Sequence, residues 1–69
     1  MDIFSTAEAG TYLHTPPGTL RYWRHIGIGP RSARFGRRVV YLRNDLDAWA
    51  SQEMARTGRG GTDQQIAAA

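Results

Sequence analysis

The segment TPPGTLRYWRHIG, at positions 15–27, joins two prolines and a glycine to a run of basic and aromatic residues. Leu20, Trp23 and Ile26 recur every third residue, a spacing typical of a helix. The opposite face of that helix would carry Thr19, Arg21, Tyr22, Arg24 and His25. A guanidinium group binds phosphate and guanine edges through its planar fork of donors, so this segment has the chemistry of a helix that binds a polyanion.

The start of this helix carries little side chain. Thr15 is predicted to cap it, with Pro16 at its first position, where the missing N–H has no helical partner to lose. A helix N-terminus presents unpaired N–H groups and positive dipole character to a phosphate. Gly18 has no side chain, so the backbone can approach a partner closely at that point. We therefore expect Thr15, Pro16, Gly18 and Thr19 to lie at the binding surface.

Charges are segregated along the chain. All nine cationic residues are arginine, and seven of them fall between Arg21 and Arg43. No acidic residue lies between Glu8 and Asp45, so that stretch carries +7, whereas the six acids and two arginines outside it sum to −4. Such segregation favours nucleic acid as the partner. The absence of lysine is explained equally well by a GC-rich genome.

Three helices and a hairpin are predicted to position these residues. Ser5 and Glu8 have the spacing of a capping box, with Phe4 as a hydrophobic staple, and the first helix runs to about Leu13. Its buried residues are expected to be Ala9, Tyr12 and Leu13. A break at positions 14–15 leads to the second helix, over residues 16–26, and two helices joined so closely form a helix-turn-helix.

Beyond Gly27, RSARF and RRVVYL are β-prone runs that meet at Gly36 and Arg37. Glycine at the first central position suits a two-residue type II′ hairpin turn, although a longer turn with a glycine bulge is also open. Asn44 is predicted to cap a last helix that Gly58 ends, with Asp45 and Asp47 in its first turn. Its apolar stripe is Leu46, Trp49 and Ala50. Residues 1–58 then form one domain, and residues 59–69 a disordered tail.

STAEAGTYL, GTLRYWRHIGIGPR, FGRRVVY and DLDAW together resemble the MerR-like helix-turn-helix domains, and among them the small excisionases of phages and plasmids. The similarity covers about residues 3–52. It implies a small α+β winged helix-turn-helix, in the order helix, turn, helix, two-stranded wing, helix, that binds duplex DNA. Arg21 matches the arginine of the family's second helix, and Arg37 and Arg38 match its wing. With Arg34 on the same hairpin, these residues are expected to contact DNA, whereas Arg43 is free to pair with Asp45 or Asp47.

Excisionases of this type bind cooperatively near attachment sites, bend the DNA and direct an integrase toward excision, which the resemblance implies here too. It also implies several protomers side by side on the DNA. The charge segregation favours head-to-tail self-association, with the basic wing edge of one protomer against the acidic helix start of the next, around Asp45 and Asp47. Relatives alternate arginine with apolar residues along the second wing strand, whereas Val39, Val40, Tyr41 and Leu42 are all apolar here. The surplus apolar face of Val40 and Leu42 either meets a neighbouring protomer or covers the base of the first helix.

Other function classes fit less well. The chain has no cysteine and no acidic cluster, so neither a metal site, a cofactor nor a nuclease centre is expected. An RNA-binding protein would place aromatic residues on an exposed sheet, whereas Trp23 and Trp49 have core spacing. MerR-type sensors carry a dimerisation helix and an effector region after the DNA-binding part. Neither is apparent in this sequence, so no small-molecule ligand is expected. A small transcriptional repressor or activator remains the alternative. No membrane span or signal peptide is apparent, which predicts a cytoplasmic protein of a bacterial host.

Overall fold

Three helices and a three-stranded antiparallel sheet form the part of the chain, residues 2–61, that the computed structural model describes. The strands are β1 (Ile3–Ser5), β2 (Ala33–Phe35) and β3 (Arg38–Leu42), and the helices are α1 (Thr6–Leu13), α2 (Pro17–Ile26) and α3 (Arg43–Thr57). The winged helix-turn-helix is therefore confirmed, with one strand more than the sequence predicts. Most of the predicted tail, residues 62–69, lies outside the described residues.

The capping box at the start of α1 is confirmed. The backbone N–H of Glu8 donates to Ser5 Oγ at 3.1 Å, and the Ser5 N–H donates back to Glu8 Oε1 at 2.8 Å. Tyr12 differs from the prediction, because its side chain is 39% exposed rather than buried. Its ring packs edge-on against Phe4, and its hydroxyl donates to Asp47 Oδ1 at 2.5 Å. The phenol thus bridges two elements at the surface.

The turn between α1 and α2 is closed by the backbone. The Thr15 N–H donates to the Gly10 carbonyl at 2.8 Å. The prediction that Thr15 caps α2 is wrong: its hydroxyl donates to the Leu13 carbonyl at 3.1 Å, and the N-cap residue is Pro16, with Pro17 at the first helical position. The hydroxyl faces the end of α1 because the tight turn holds residue 15 against that end.

Strand β3 lies at the centre of the sheet, between β1 and β2. Phe35 pairs with Arg38, which leaves Gly36 and Arg37 as a two-residue turn. Gly36 has a φ of 63°, while Arg37 is not among the positive-φ residues, and this combination identifies the type II′ turn and excludes the glycine bulge. We call the β2–β3 hairpin with this turn the wing.

The two faces of the sheet differ in what covers them. Cross-strand pairing places Phe4, Val39 and Tyr41 on the inner face, and these residues pack into the core. The outer face carries Ile3, Ser5, Ala33, Phe35, Arg38, Val40 and Leu42. The expectation of a surplus apolar surface at Val40 is wrong, because Val40 is only 8% exposed between the two flanking strands. The exposed apolar residues of this face are instead Ile3 and Phe35, at 43% and 55%.

The core forms where α1, α2, α3 and β3 meet. Its fully buried members are Ala9, Leu20, Tyr41 and Leu46. Trp23 of α2 and Trp49 of α3 pack against each other at its edge, with their ring centroids 5.2 Å apart and their planes tilted by 45°. Leu46, Trp49 and Ala50 face inward as predicted, so α2 is anchored on both α1 and α3.

The start of α3 departs from the prediction. Strand β3 runs directly into the helix, so the N-cap residue is Leu42, and Asn44 lies inside the first turn with Asp45. Asp47 lies beyond that turn. Arg43 pairs with neither aspartate but with Asp2, at 3.2 Å, because the antiparallel β1–β3 pairing places the start of β1 beside the end of β3.

Among residues 2–61, none of the helices has the length and apolar character that a membrane span requires.

Candidate nucleic-acid interface

The polar face of α2 is exposed as its sequence predicts. Leu20 is 1% exposed and Trp23 packs against the core, so the helix is fixed by one face. Ile26, the third residue of this spacing, is 46% exposed at the last position of the helix. The residues that point away from the core are Arg21, Tyr22, Arg24 and His25. Tyr22 is 60% exposed, so more than half of its surface is available to a partner.

The N-terminus of α2 has no side-chain cap and no acidic residue in its first turn. The Pro16 carbonyl accepts the N–H groups of Thr19 and Leu20, at 3.0 and 3.3 Å. Around Gly18 the space is open, since a Cβ at that position would have no atom within 4 Å. Pro16 is exposed and Thr19 half-buried, so the end of the helix presents backbone rather than bulky side chains. Thr15 is half-buried, with its hydroxyl bound to α1.

The wing carries three exposed arginines. Arg37 occupies the turn and Arg38 opens β3. Arg34 lies on β2, and its Nη2 is 3.5 Å from the Gly36 carbonyl, a long contact that bends this side chain back along the hairpin. The three guanidinium groups thus surround the tip of the wing, and their contact with DNA stays a prediction.

A cleft of about 440 Å³ separates α2 from the wing. Arginines come from both sides: Arg21 and Arg24 from α2, and Arg37 from the wing turn. The remaining lining residues are Thr6, His25, Val39 and Tyr41. The structure therefore brings together two groups of predicted contact residues that lie at least 13 positions apart in the sequence.

A hydrogen bond joins the two walls of this cleft. Arg24 Nε donates to Ser32 Oγ at 2.9 Å, and Ser32 lies directly before β2. Tyr41 forms the floor nearby. Burial raises the pKa of its phenol, and the charges of Arg24 and Arg21 and the hydroxyl of Ser32 oppose that rise. The phenol is thus protonated at neutral pH, while the positive charges remain close to it.

The basic charges of the cleft have no acidic counterpart in the described part of the chain. The salt bridges within residues 2–61 are Arg43–Asp2 and Arg56–Glu53, and neither involves an arginine of the cleft. In the second pair, the Arg56 guanidinium lowers the pKa of the Glu53 carboxyl. Among the described side chains, no three His, Cys, Asp or Glu residues cluster as metal ligands would. The site is therefore suited to binding an anion.

Four residues that line the cleft were not among the predicted contacts, namely Thr6, His25, Val39 and Tyr41. His25 alone belongs to the predicted recognition helix, where its place near the end of the helix left a cap or solvent role and a contact equally open. The sequence holds no signal for the others, because they meet only after the wing has docked against α2. Their common neighbourhood is a property of the tertiary fold.

Comparison with known proteins found one family model that matches most of the chain. Residues 3–54 match the family model described as a helix-turn-helix domain. This range includes α1, α2, the wing and all of α3 up to Met54. Searches of curated proteins and of solved structures gave no match.

Proposed function

The chain belongs to the helix-turn-helix domain family of DNA-binding proteins, and on that premise we propose that it is an excisionase, an architectural protein that directs an integrase toward excision. The observation that carries the proposal is the continuous basic surface formed by α2 and the wing. Two separate elements present arginine to the same side of a very small domain. Such a surface fits the two grooves of one duplex.

In this proposal α2 enters the major groove, which is wide enough, at ~12 Å, for a helix. Arg21 and Tyr22 project from the exposed face of α2, where the guanidinium of Arg21 can bind either a phosphate or a base edge such as guanine O6 and N7. The uncapped start of the helix, around Pro16 and Gly18, lies against the sugar-phosphate backbone. The wing tip, with Arg37 and Arg38, enters the neighbouring minor groove, which attracts arginine where it is narrow.

Architectural function follows from the small size of this surface. One module of this kind buries roughly 600–1,000 Å² on DNA, which supports limited specificity. Several protomers side by side increase both specificity and the extent of bending. The exposed apolar residues Ile3 and Phe35 on the outer face of the sheet support such a head-to-tail contact between protomers. Heterologous contacts do not close, so an array of this type extends along the DNA.

The test combines binding, bending and recombination. Duplexes that span candidate attachment sites are titrated with the protein, and the bend is measured from circularly permuted fragments. We expect cooperative binding, a bend, and excision in the presence of purified integrase. Arg21→Ala should weaken all three, by roughly 1–3 kcal/mol in binding. Arg56→Ala is the matched control, because this arginine is paired with Glu53 on α3.

The outcomes separate the levels of the proposal. Binding and bending without any effect on excision would contradict the excisionase and favour a repressor or activator with the same fold. No binding to any duplex, in a protein that is folded by circular dichroism, would contradict the DNA-binding surface itself.

A further inference from the structure

The cleft between α2 and the wing concentrates positive charge from two elements. Arg21 and Arg24 reach it from α2, and Arg37 from the turn of the wing. Within residues 2–61 no carboxylate lines this cleft, and the two salt bridges lie elsewhere. Like charges repel where they converge, so a bound anion stabilises this arrangement. The cleft is therefore a candidate anion site in its own right.

Arg24 has two roles in this geometry. A guanidinium carries five N–H donors in a rigid fork, and Arg24 uses Nε to hold Ser32 Oγ at 2.9 Å. Arg24 also lines the cleft. Ser32 precedes β2, so this bond fixes the base of the wing at a set distance from α2. Arg24 thereby sets the width of the cleft as well as its charge.

The shape of duplex DNA determines what lies in such a cleft. One sugar-phosphate strand separates a major groove from the minor groove next to it. If α2 occupies the first groove and the wing the second, that strand has to pass between them. The strand carries its negative charges at ~3.4 Å intervals along the helix axis, so a phosphate always lies close to the cleft.

We propose that this cleft is a phosphate clamp, which binds one phosphodiester of the strand between the two grooves through Arg21, Arg24 and Arg37. The clamp rests on the proposed mode of DNA binding. The Arg24–Ser32 bond keeps its two walls at a fixed spacing before DNA arrives. Thr6, at the start of α1, borders the same cleft and lies close enough to face the bound strand.

A neutral-backbone scan tests the clamp. A duplex selected from a random library for binding to the wild type is prepared with a single methylphosphonate at each backbone position in turn. The dissociation constants of wild type, Arg37→Ala and Arg38→Ala are then measured on every duplex. Arg38 is the matched control: it is the neighbouring residue, has the same charge and is exposed, but it does not line the cleft.

We expect Arg37→Ala to weaken binding to the unmodified duplex about tenfold or more, as for hydrogen bonds to a charged group. At one backbone position the methylphosphonate should weaken wild-type binding by a clearly larger factor than it weakens Arg37→Ala, because residue and phosphate form a coupled pair. Arg21 and Arg24 still bind that phosphate in the variant, so a smaller loss remains. Arg38→Ala should show additive effects at that same position.

Ser32→Ala tests the bond that joins the walls. It removes no charge, so the salt dependence of binding should match that of the wild type while affinity falls. Arg24→Ala should lower affinity and also make the salt slope shallower by about one unit. An unchanged affinity in Ser32→Ala would remove the positioning role of Arg24.

Two failures are distinguishable. If the wild type binds no duplex, the proposed function fails and the clamp fails with it. If the wild type binds and Arg37→Ala is additive with every methylphosphonate, or couples to several scattered positions, the clamp is wrong while DNA binding stands.

Discussion

Thr15 and Gly10 close the turn between α1 and α2 through their backbones. The Thr15 N–H donates to the Gly10 carbonyl at 2.8 Å, and a Cβ built on Gly10 would lie 2.6 Å from the Thr15 carbonyl oxygen. Any side chain at position 10 therefore has to push the turn away from α1. This turn sets the angle between the two helices, and hence where the recognition helix α2 points.

Gly10→Ala should destabilise the domain by ~1–3 kcal/mol, because the added methyl meets backbone that cannot rotate away. In a domain of this size each kcal/mol lowers the melting temperature by roughly 4–8 °C. Thermal unfolding followed by circular dichroism measures the loss. A melting temperature equal to that of the wild type would show that the turn adjusts without cost.

Gly18→Ala, in contrast to Gly10→Ala, should leave the folded domain stable and should weaken DNA binding instead. Nothing lies within 4 Å of a Cβ at this position, so the folded domain accepts it, and alanine favours the helix by up to ~1 kcal/mol. If the backbone at Gly18 approaches DNA closely, the methyl group should weaken binding by roughly 1–2 kcal/mol, similar to one mismatched base pair. Fluorescence anisotropy on a bound duplex measures this, and Gly18→Leu should bind more weakly still.

Unchanged affinity in both Gly18 variants would place the start of α2 away from the DNA. The comparison with Gly10→Ala separates the two uses of glycine in this helix-turn-helix. One glycine is required by the fold, and the other is open to a partner.

Local features of this fold were predictable from the sequence because each depends on neighbours along the chain. Ser5 and Glu8 satisfy each other across three positions, and Gly36 supplies the positive φ that the hairpin turn requires. The exposed face of α2 follows from the spacing of Leu20 and Trp23. In these cases a single periodicity or turn rule was sufficient.

The features that sequence reasoning missed depend on distant partners. Ile3–Ser5 is too short to register as a strand by itself and becomes β1 only beside β3, about 37 positions later. The same pairing brings Asp2 to Arg43, so this arginine pairs with Asp2 and not with Asp45 or Asp47. The cleft is a further case, since Ser32 meets Arg24 only when the wing docks on α2.

Tyr41→Phe should change how stability depends on pH in the alkaline range. Burial raises the pKa of the Tyr41 phenol above its ordinary value of 10.0, so the folded state holds this proton more tightly than the unfolded state does. The contribution is complete below about pH 10 and is lost as pH rises through the folded pKa, with a limiting slope of ~1.4 kcal/mol per pH unit. Tyr41→Phe should flatten that decline.

Denaturant unfolding between pH 8 and 11 measures the decline, and Tyr22→Phe is the control because Tyr22 is 60% exposed. The wild type and the Tyr22 variant should lose stability in parallel. An equally steep decline in Tyr41→Phe would mean that another group accounts for the alkaline loss.

Ile3→Gln should separate cooperative from single-site binding. Ile3 is 43% exposed on the outer face of the sheet, whereas its neighbour Val40 is only 8% exposed and contributes to folding within one protomer. A contact between protomers on this face would bury the isoleucine, and a partly buried apolar side chain of this size contributes about 1–2 kcal/mol. Ile3→Gln should therefore keep the affinity for a single site and reduce cooperativity between adjacent sites about tenfold.

Ile28→Gln is the matched control, since Ile28 is 54% exposed but lies in the loop after α2, outside the sheet. Titration of duplexes with one and two adjacent sites gives both quantities for each variant. Polar substitution at position 28 should leave cooperativity unchanged. If Ile3→Gln still fills two sites as cooperatively as the wild type does, the outer face is not the contact between protomers. The array would then have to form between the basic wing of one protomer and the acidic start of α3, around Asp45 and Asp47, of the next.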